Sequence, residues 1–233
     1  MWRHNTATVV TFNRLMTKRA LVIIDLINDY LDRWSADKAA RLIGETNKLA
    51  VAFRQAALPV IWVRPEFRPD LSDAFLEMRD KNLKIAIEGT SGAHLHAGLN
   101  CQPSDTTIVK KRYSAFYRTE LEDILSAMGV AELVLCGINT HACIRMAAID
   151  AYQRDLRVVL AEECIDSYDA EHGRVSLDYM NGKIAKLATV PEIIQALRPL
   201  QAAGALPPPE AASSFDATRT SVPARPAEQN NVV

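Results

Sequence analysis

Short β-branched apolar runs alternate with longer amphipathic stretches along most of this chain, and that alternation narrows the possible folds more than any other feature. The runs are ALVIID (20–25), LPVIWVR (58–64), TTIVK (106–110), AELVLCG (131–137), LRVVLAE (156–162) and IAKLATV (184–190). They are too short for helices and too continuously apolar for strands with one wet face, so they read as strands buried on both sides. Between them, helical periodicity covers 36–57, 118–128, 140–154 and 169–182, with a shorter stretch at 191–198. Strand–helix alternation of this kind predicts a parallel sheet with helices on both faces. Residues 71–84 carry helical character, and the segment EGTSGAHLHAGLNCQPSD after them reads as a long loop and a candidate lid over a site.

A chain of 233 residues with 48% hydrophobic content supports one sizeable core, so one domain is expected over 18–198. Residues 1–17 read as an N-terminal extension. From 199 to 233 the composition turns to Ala, Pro, Ser and polar residues, which bury too little apolar surface to offset their ordering entropy, and a flexible tail is expected there. The formal charge is −1 with both signs interspersed, which excludes the electrostatic footprint of a nucleic-acid binder or a membrane-surface helix. A small-molecule partner fits better. The four cysteines, Cys101, Cys136, Cys143 and Cys164, form no CxxC pair and read as thiols of a reducing compartment. With no signal-peptide pattern and no membrane-length apolar run, a cytoplasmic location is expected.

In parallel α/β sheets the ligand sits outside the carboxyl ends of the strands, where the strand order reverses. The residues at those ends are Asp25, Arg64, Lys110, the stretch GINTHAC from Gly137 to Cys143, and Glu162. An aspartate, a lysine and a cysteine at three such ends suit nucleophilic catalysis. A thiol attacks as thiolate, favoured by a helix N-terminus and a nearby cation. Cys143 is expected to have both, the cation being Lys110, while Asp25 takes the thiol proton and returns it to a leaving amine. Each residue also has a plainer reading: Cys143 as a small buried residue, Asp25 as a cap or ligand contact, and Lys110, next to Lys111 and Arg112, as part of a solvated turn.

The stretches ALVIIDLINDYLD, VKKRYSAFYRTELEDIL and LVLCGINTHACIRMAAIDAYQRDLRVVLAEECIDSYDAEHG agree in content, order and spacing with one known group. Across residues 18–195 the chain resembles the isochorismatase-like cysteine hydrolases. The resemblance implies a three-layer α/β/α sandwich around a mostly parallel, Rossmann-like six-stranded sheet. It implies that Asp25, Lys110 and Cys143 are the catalytic set; Lys110 is preferred to Lys111 because the family lysine stands four residues before the serine of its SAF element, here Ser114. It also implies a cis peptide at Ile138–Asn139, aiming the Asn139 N–H at the same point as the Cys143 N–H to form an oxyanion hole. Homodimers or homotetramers are the family habit.

Members with this cysteine split C–N bonds of amides or ureido compounds through a thioester and need no cofactor. Isochorismatases split a vinyl ether and generally lack the cysteine, so Cys143 favours amide hydrolysis. His141 stands where amidases often carry aspartate and is a feature of the isochorismatase branch, which keeps vinyl ether cleavage as the alternative. A third reading is a silent binding or redox-sensing module. Nicotinamidases of this group carry an Asp-x-His metal motif with a further histidine after the second strand. The matching stretch WVRPEFRPDL has no histidine, and His94 and His96 lack a carboxylate at ligand spacing, so no metal is expected. Tyr30, Trp34, Phe116 and His141 are the candidate substrate contacts, each with a packing or capping alternative. Asn28 orients Asp25 or caps a turn, and Arg64 and Arg68 are candidate carboxylate anchors.

Overall fold

A computed structural model describes residues 18–197. The extension over 1–17 and the tail from 199 onward, with residue 198, lie outside the described residues. Within them, six strands form one all-parallel sheet: β1 (Arg19–Ile24), β2 (Val60–Pro65), β3 (Thr106–Lys110), β4 (Glu132–Ile138), β5 (Arg157–Asp166) and β6 (Lys186–Ala188), in the order β3-β2-β1-β4-β5-β6. The chain builds outward from β1 in one direction and, from β4, in the other. The reversal therefore falls between β1 and β4, where this topology opens a crevice beyond the strand ends.

The helices are α1 (Asn28–Leu31), α2 (Ala36–Gln55), α3 (Leu76–Asp80), α4 (Leu121–Ala127), α5 (Arg145–Tyr152), α6 (Ala170–Met180) and α7 (Val190–Leu197). Alternate residues of each strand feed opposite cores, because side chains on a strand alternate in direction. Val22 and Ile24 join Leu133 and Leu135 under α4, α5 and α6, contributing Leu121, Leu125, Ala147, Ala148, Ala151 and Met180. Leu21 and Ile23 join Val134 and Cys136 under α2 and α7, where Leu42, Leu49, Phe53 and Ile193 cover them. Both faces of the sheet are thus dry, which is why the strands read as unbroken apolar runs. The expected three-layer α/β/α sandwich is the observed architecture.

β4 meets β1 closely at its outgoing end. Gly137 pairs with Ile24 and has φ +115, and a Cβ placed there would lie 1.9 Å from the Ile24 carbonyl oxygen. Only glycine permits that approach.

Four expectations need correction. β5 runs to Asp166 rather than ending at Glu162: Leu135 pairs with Leu160, but Gly137 pairs with Ile165, so the intervening residues bulge out and the strand resumes. Glu162 is exposed in that bulge and Glu163 accepts a hydrogen bond from the Val190 N–H (2.8 Å), so neither marks a strand end. Helical structure within 71–84 shrinks to α3, because Asp70 and Asp73 accept from the Ser72 and Arg68 N–H groups (2.9 Å each) and hold turns there instead. The stretch expected as one helix over 140–154 begins as a π turn, Thr140–Ile144, before α5. Its Ala142 and Ile144 N–H groups both donate to the Asn139 carbonyl, at 3.0 and 3.2 Å. Finally, the long loop is no lid. Asn47 and Arg54 of α2 bind it through the Gly98 and Asn100 carbonyls and Asp105, and no residue of 88–105 reaches the cavity described next.

Candidate active site

The carboxyl ends of the strands frame a cavity of about 820 Å³. Asp25 follows β1 in a left-handed conformation (φ +64), which aspartate tolerates better than most residues, and its N–H donates to the Val63 carbonyl at 2.9 Å. That bond pins the turn against β2. Lys110 ends β3, and Cys143 sits in the π turn after β4. All three line the cavity floor, and they are only 1%, 3% and 7% exposed, respectively.

Lys110 joins them. Its Nζ lies 2.9 Å from Asp25 Oδ2 and donates to Cys143 Sγ at 3.4 Å and to the Arg112 and Tyr113 carbonyls at 3.0 and 3.2 Å. A buried ammonium with two carbonyls and a carboxylate around it is fully hydrogen-bonded and fixed in direction. Asp25 Oδ1, in contrast, is buried without a hydrogen-bond partner. Leaving such an atom unpaired costs free energy, and it is free to accept a proton or a donor brought by a ligand.

Burial governs the charges. It raises the Asp25 carboxyl above its ordinary value, against the pull of Lys110. It pushes the Cys143 thiol up to about 12, with the Asp25 charge adding to the rise and Lys110 opposing it. Burial works to lower Lys110, but the Asp25 and Cys143 charges outweigh it and hold the ammonium above its usual range. Burial and the Asp25 charge thus work against the thiolate that Lys110 favours. Cys143 lies in a π turn that runs directly into α5, so it still stands in the first turn of a continuous helical stretch.

The peptide bond between Ile138 and Asn139 is cis, and both residues line the cavity beside Ala142 and Cys143. Tyr30 and Trp34 also line it; Tyr30 is half-buried, and burial followed by the charges of Asp25 and Cys143 raises its hydroxyl so that it stays protonated. His141 lines it as well. Its backbone N–H donates to Ser167 Oγ at 3.4 Å, and Oγ lies 2.9 Å from the ring Nδ1. Either ring tautomer satisfies this contact, since the serine hydroxyl has two acceptor sites and one hydrogen to give. Burial lowers the His141 pKa, Asp169 opposing and His172 reinforcing, so the ring is a neutral donor.

Other candidates fall elsewhere. Phe116 is a core residue with its ring under the Arg154 guanidinium (4.7 Å), away from the cavity walls. Arg64 pairs with Glu66 (2.7 Å) and donates to the Ala93 carbonyl, and neither it nor exposed Arg68 borders the cavity. Asn28 ties the long loop through the Ser91 carbonyl (2.8 Å) instead of touching Asp25. His96 Nδ1 accepts from the Gly98 N–H (3.1 Å), and among the described residues no group of three or more His, Cys, Asp or Glu side chains is placed to hold a metal ion. Sequence reasoning missed Arg33, Phe67, Phe75, Tyr113, Tyr168 and His172 as cavity walls, and Ser167 as the support of His141. The stretch CIDSYDAEH held the signal for the last three, hidden by ending β5 too early.

A model of the isochorismatase domain matches residues 19–192. An uncharacterized isochorismatase family protein of Escherichia coli O157:H7 is 31% identical over 179 residues, covering 76% of this chain and 95% of that one. A ureidoacrylate amidohydrolase of Methylorubrum extorquens is 30% identical over 167 residues, covering 61% and 67%. Among solved structures, the N-carbamoylsarcosine amidase of Thermoplasma acidophilum superposes with a TM-score of 0.65 at 28% identity, covering 74% of this chain and 96% of that one.

Proposed function

The chain belongs to the isochorismatase family, and from that premise we propose that it is a cysteine-dependent hydrolase that cleaves the C–N bond of a small amide or carbamoyl compound through a thioester. The observation that carries the reading is the buried Lys110 ammonium held between the Asp25 carboxylate (2.9 Å) and the Cys143 sulfur (3.4 Å) on the floor of an open cavity. The amidase and amidohydrolase among its relatives support it.

In the proposed reaction Asp25 takes the Cys143 proton as the sulfur attacks the substrate carbonyl carbon. The S–C bond forms and the carbonyl π pair moves to oxygen, where the Asn139 and Cys143 N–H groups stabilise it. Collapse breaks the C–N bond, and the proton held by Asp25 passes to the departing nitrogen. Asp25 then deprotonates a water that attacks the thioester, and the thiol is restored with release of the acid. Lys110 offsets the negative charge as it shifts between carboxylate and sulfur. The raised carboxyl of Asp25 suits this role, since a base that must also act as an acid works best with its pKa brought toward the working pH. No step requires a cofactor.

Intact-mass spectrometry tests the thioester. The wild-type chain mixed with a panel of small amides and carbamoyl compounds is expected to gain the mass of an acyl group at Cys143, and Cys143→Ala to gain none and lose turnover. Full turnover by Cys143→Ala would remove the nucleophile assignment. Turnover of isochorismate by that variant would instead establish vinyl ether cleavage, which needs no thiol. A chain that binds members of the panel without consuming any would be the silent module.

A further inference from the structure

Lys38, in the first turn of α2, does not border the cavity, yet it touches two of the segments that build its walls. Its Nζ donates to the Ser167 carbonyl and pairs with Asp166 Oδ1, at 2.9 Å each, and it lies 4.2 Å from the centre of the Trp34 ring. An ammonium has three N–H donors; here two oxygens take the direct bonds while the charge faces an indole, the best aromatic partner for a cation. Trp34 is a cavity wall contributed by the turn after α1. Asp166 and Ser167 come from the end of β5, which β4 separates from β1 in the sheet.

The end of β5 needs such a hold. β6 pairs with β5 only from Val159 to Ala161, so beyond that point β5 has a strand partner on one side, β4. The Ser167 N–H donates to Asp166 Oδ1 at 2.7 Å, Ser167 Oγ lies 2.9 Å from His141 Nδ1, and the Tyr168 N–H donates to Asn139 Oδ1 at 3.2 Å. Asn139, His141 and Tyr168 all line the cavity, so the segment from Asp166 to Tyr168 places part of its wall. Stability does not account for the lysine. A cation in the first turn of a helix opposes the helix dipole, and an ion pair whose side chains are each 31% exposed adds little to folding.

We propose that Lys38 is a positioning residue for substrate binding, a clamp that ties Trp34 to the wall carrying His141 and so sets their spacing. It acts through Trp34 and Ser167 and touches no substrate itself. Asp25, Lys110 and Cys143 are held separately, by their own contacts. The expected effect on turnover rests on the hydrolase reading of this cavity, and the clamp itself does not.

The test uses the full-length chain. Ammonia release is measured from a panel of small amides and carbamoyl compounds that includes acetamide, benzamide and N-carbamoylsarcosine. Lys38→Met keeps the side-chain length and removes the charge; it is expected to raise KM about five- to tenfold while kcat changes less than about twofold. Lys38→Arg is expected to restore most of the loss, since a guanidinium also pairs with a carboxylate and stacks on an indole. Lys48→Met removes a lysine of the same helix, paired with Glu45 at 2.6 Å, and is the control that should change nothing. The urea midpoint of Lys38→Met should stay at the wild-type value, whereas a purely structural lysine would lower it along with activity. Trp34 reports the clamp without chemistry. The emission lost on adding Trp34→Phe to each variant belongs to Trp34, and its quenching by acrylamide is expected to about double in Lys38→Met and to recover in Lys38→Arg. If the wild type consumes a member of the panel, an unchanged KM in Lys38→Met, or a loss matched by a lower urea midpoint, would overturn the proposal. If it consumes none, the quenching decides: a rise that Lys38→Arg reverses sustains the clamp and leaves the hydrolase reading to fall alone, and unchanged quenching overturns the clamp.

Discussion

In the proposed reaction Asp25 has two opposed parts, since its charge adds to burial in holding the proton on Cys143 and its carboxylate is the base that removes it. Burial and Asp25 together push the thiol up to about 12, so slow alkylation near neutral pH is expected and is compatible with the proposed reaction, in which the proton leaves only as the sulfur attacks. The sign of the coupling is open to experiment. Replacing Asp25 with Asn removes a negative charge, lowers the thiol pKa and raises the thiolate fraction at fixed pH. The iodoacetamide rate at pH 8 is expected to rise in Asp25→Asn while turnover drops by about a thousandfold; a slower alkylation would reverse the electrostatic assignment. His141 makes a second residue-level case. Ser167 Oγ, 2.9 Å from Nδ1, holds the ring in one orientation on the cavity wall. Ser167→Ala frees the ring and is expected to reduce kcat/KM about tenfold, whereas an unchanged value would make His141 a packing residue. Asp25, Lys110 and Cys143 were legible because β1, β3 and β4 end close to where their apolar runs end, which the run of β5 does not. Ser167 and His172 were not, since their position depends on a bulge that no local pattern announces.

At the scale of elements, the encounter of β1 with β4 matters most. Gly137 has φ +115, and an added Cβ would sit 1.9 Å from the Ile24 carbonyl oxygen, next to the turn that carries Asp25. Backbone cannot yield as a flexible side-chain tip does. Gly137→Ala is expected to cost about 3 kcal/mol or more, read as a lower urea midpoint, and to lower turnover because the strand ends that frame the cavity must part. An unaltered midpoint would mean that the strands separate without penalty. Periodicity located five of the helices and all six strands in outline because both cores need apolar residues at those spacings. It could not distinguish the π turn from an α turn, because both bury Cys143 and Ile144 while differing in which N–H reaches the Asn139 carbonyl.

For the whole molecule, the alternation implied a parallel sheet with helices on both faces, whereas the order β3-β2-β1-β4-β5-β6 is one of several that right-handed crossovers allow and came from the structure. The cavity walls were not implied either, because they come from turns and loops whose placement follows from tertiary contacts rather than from composition. The same order has a consequence for how the protein is made. Asp25 and Lys110 belong to the half of the sheet that leaves the ribosome first, and Cys143 to the half that follows, so no nascent chain ending before β4 contains the site. The β1–β4 pairing joins segments far apart along the chain, and such contacts form late in folding. Cys143 meets Asp25 only when that junction closes, which ties the onset of the proposed reactivity to the β1–β4 pairing.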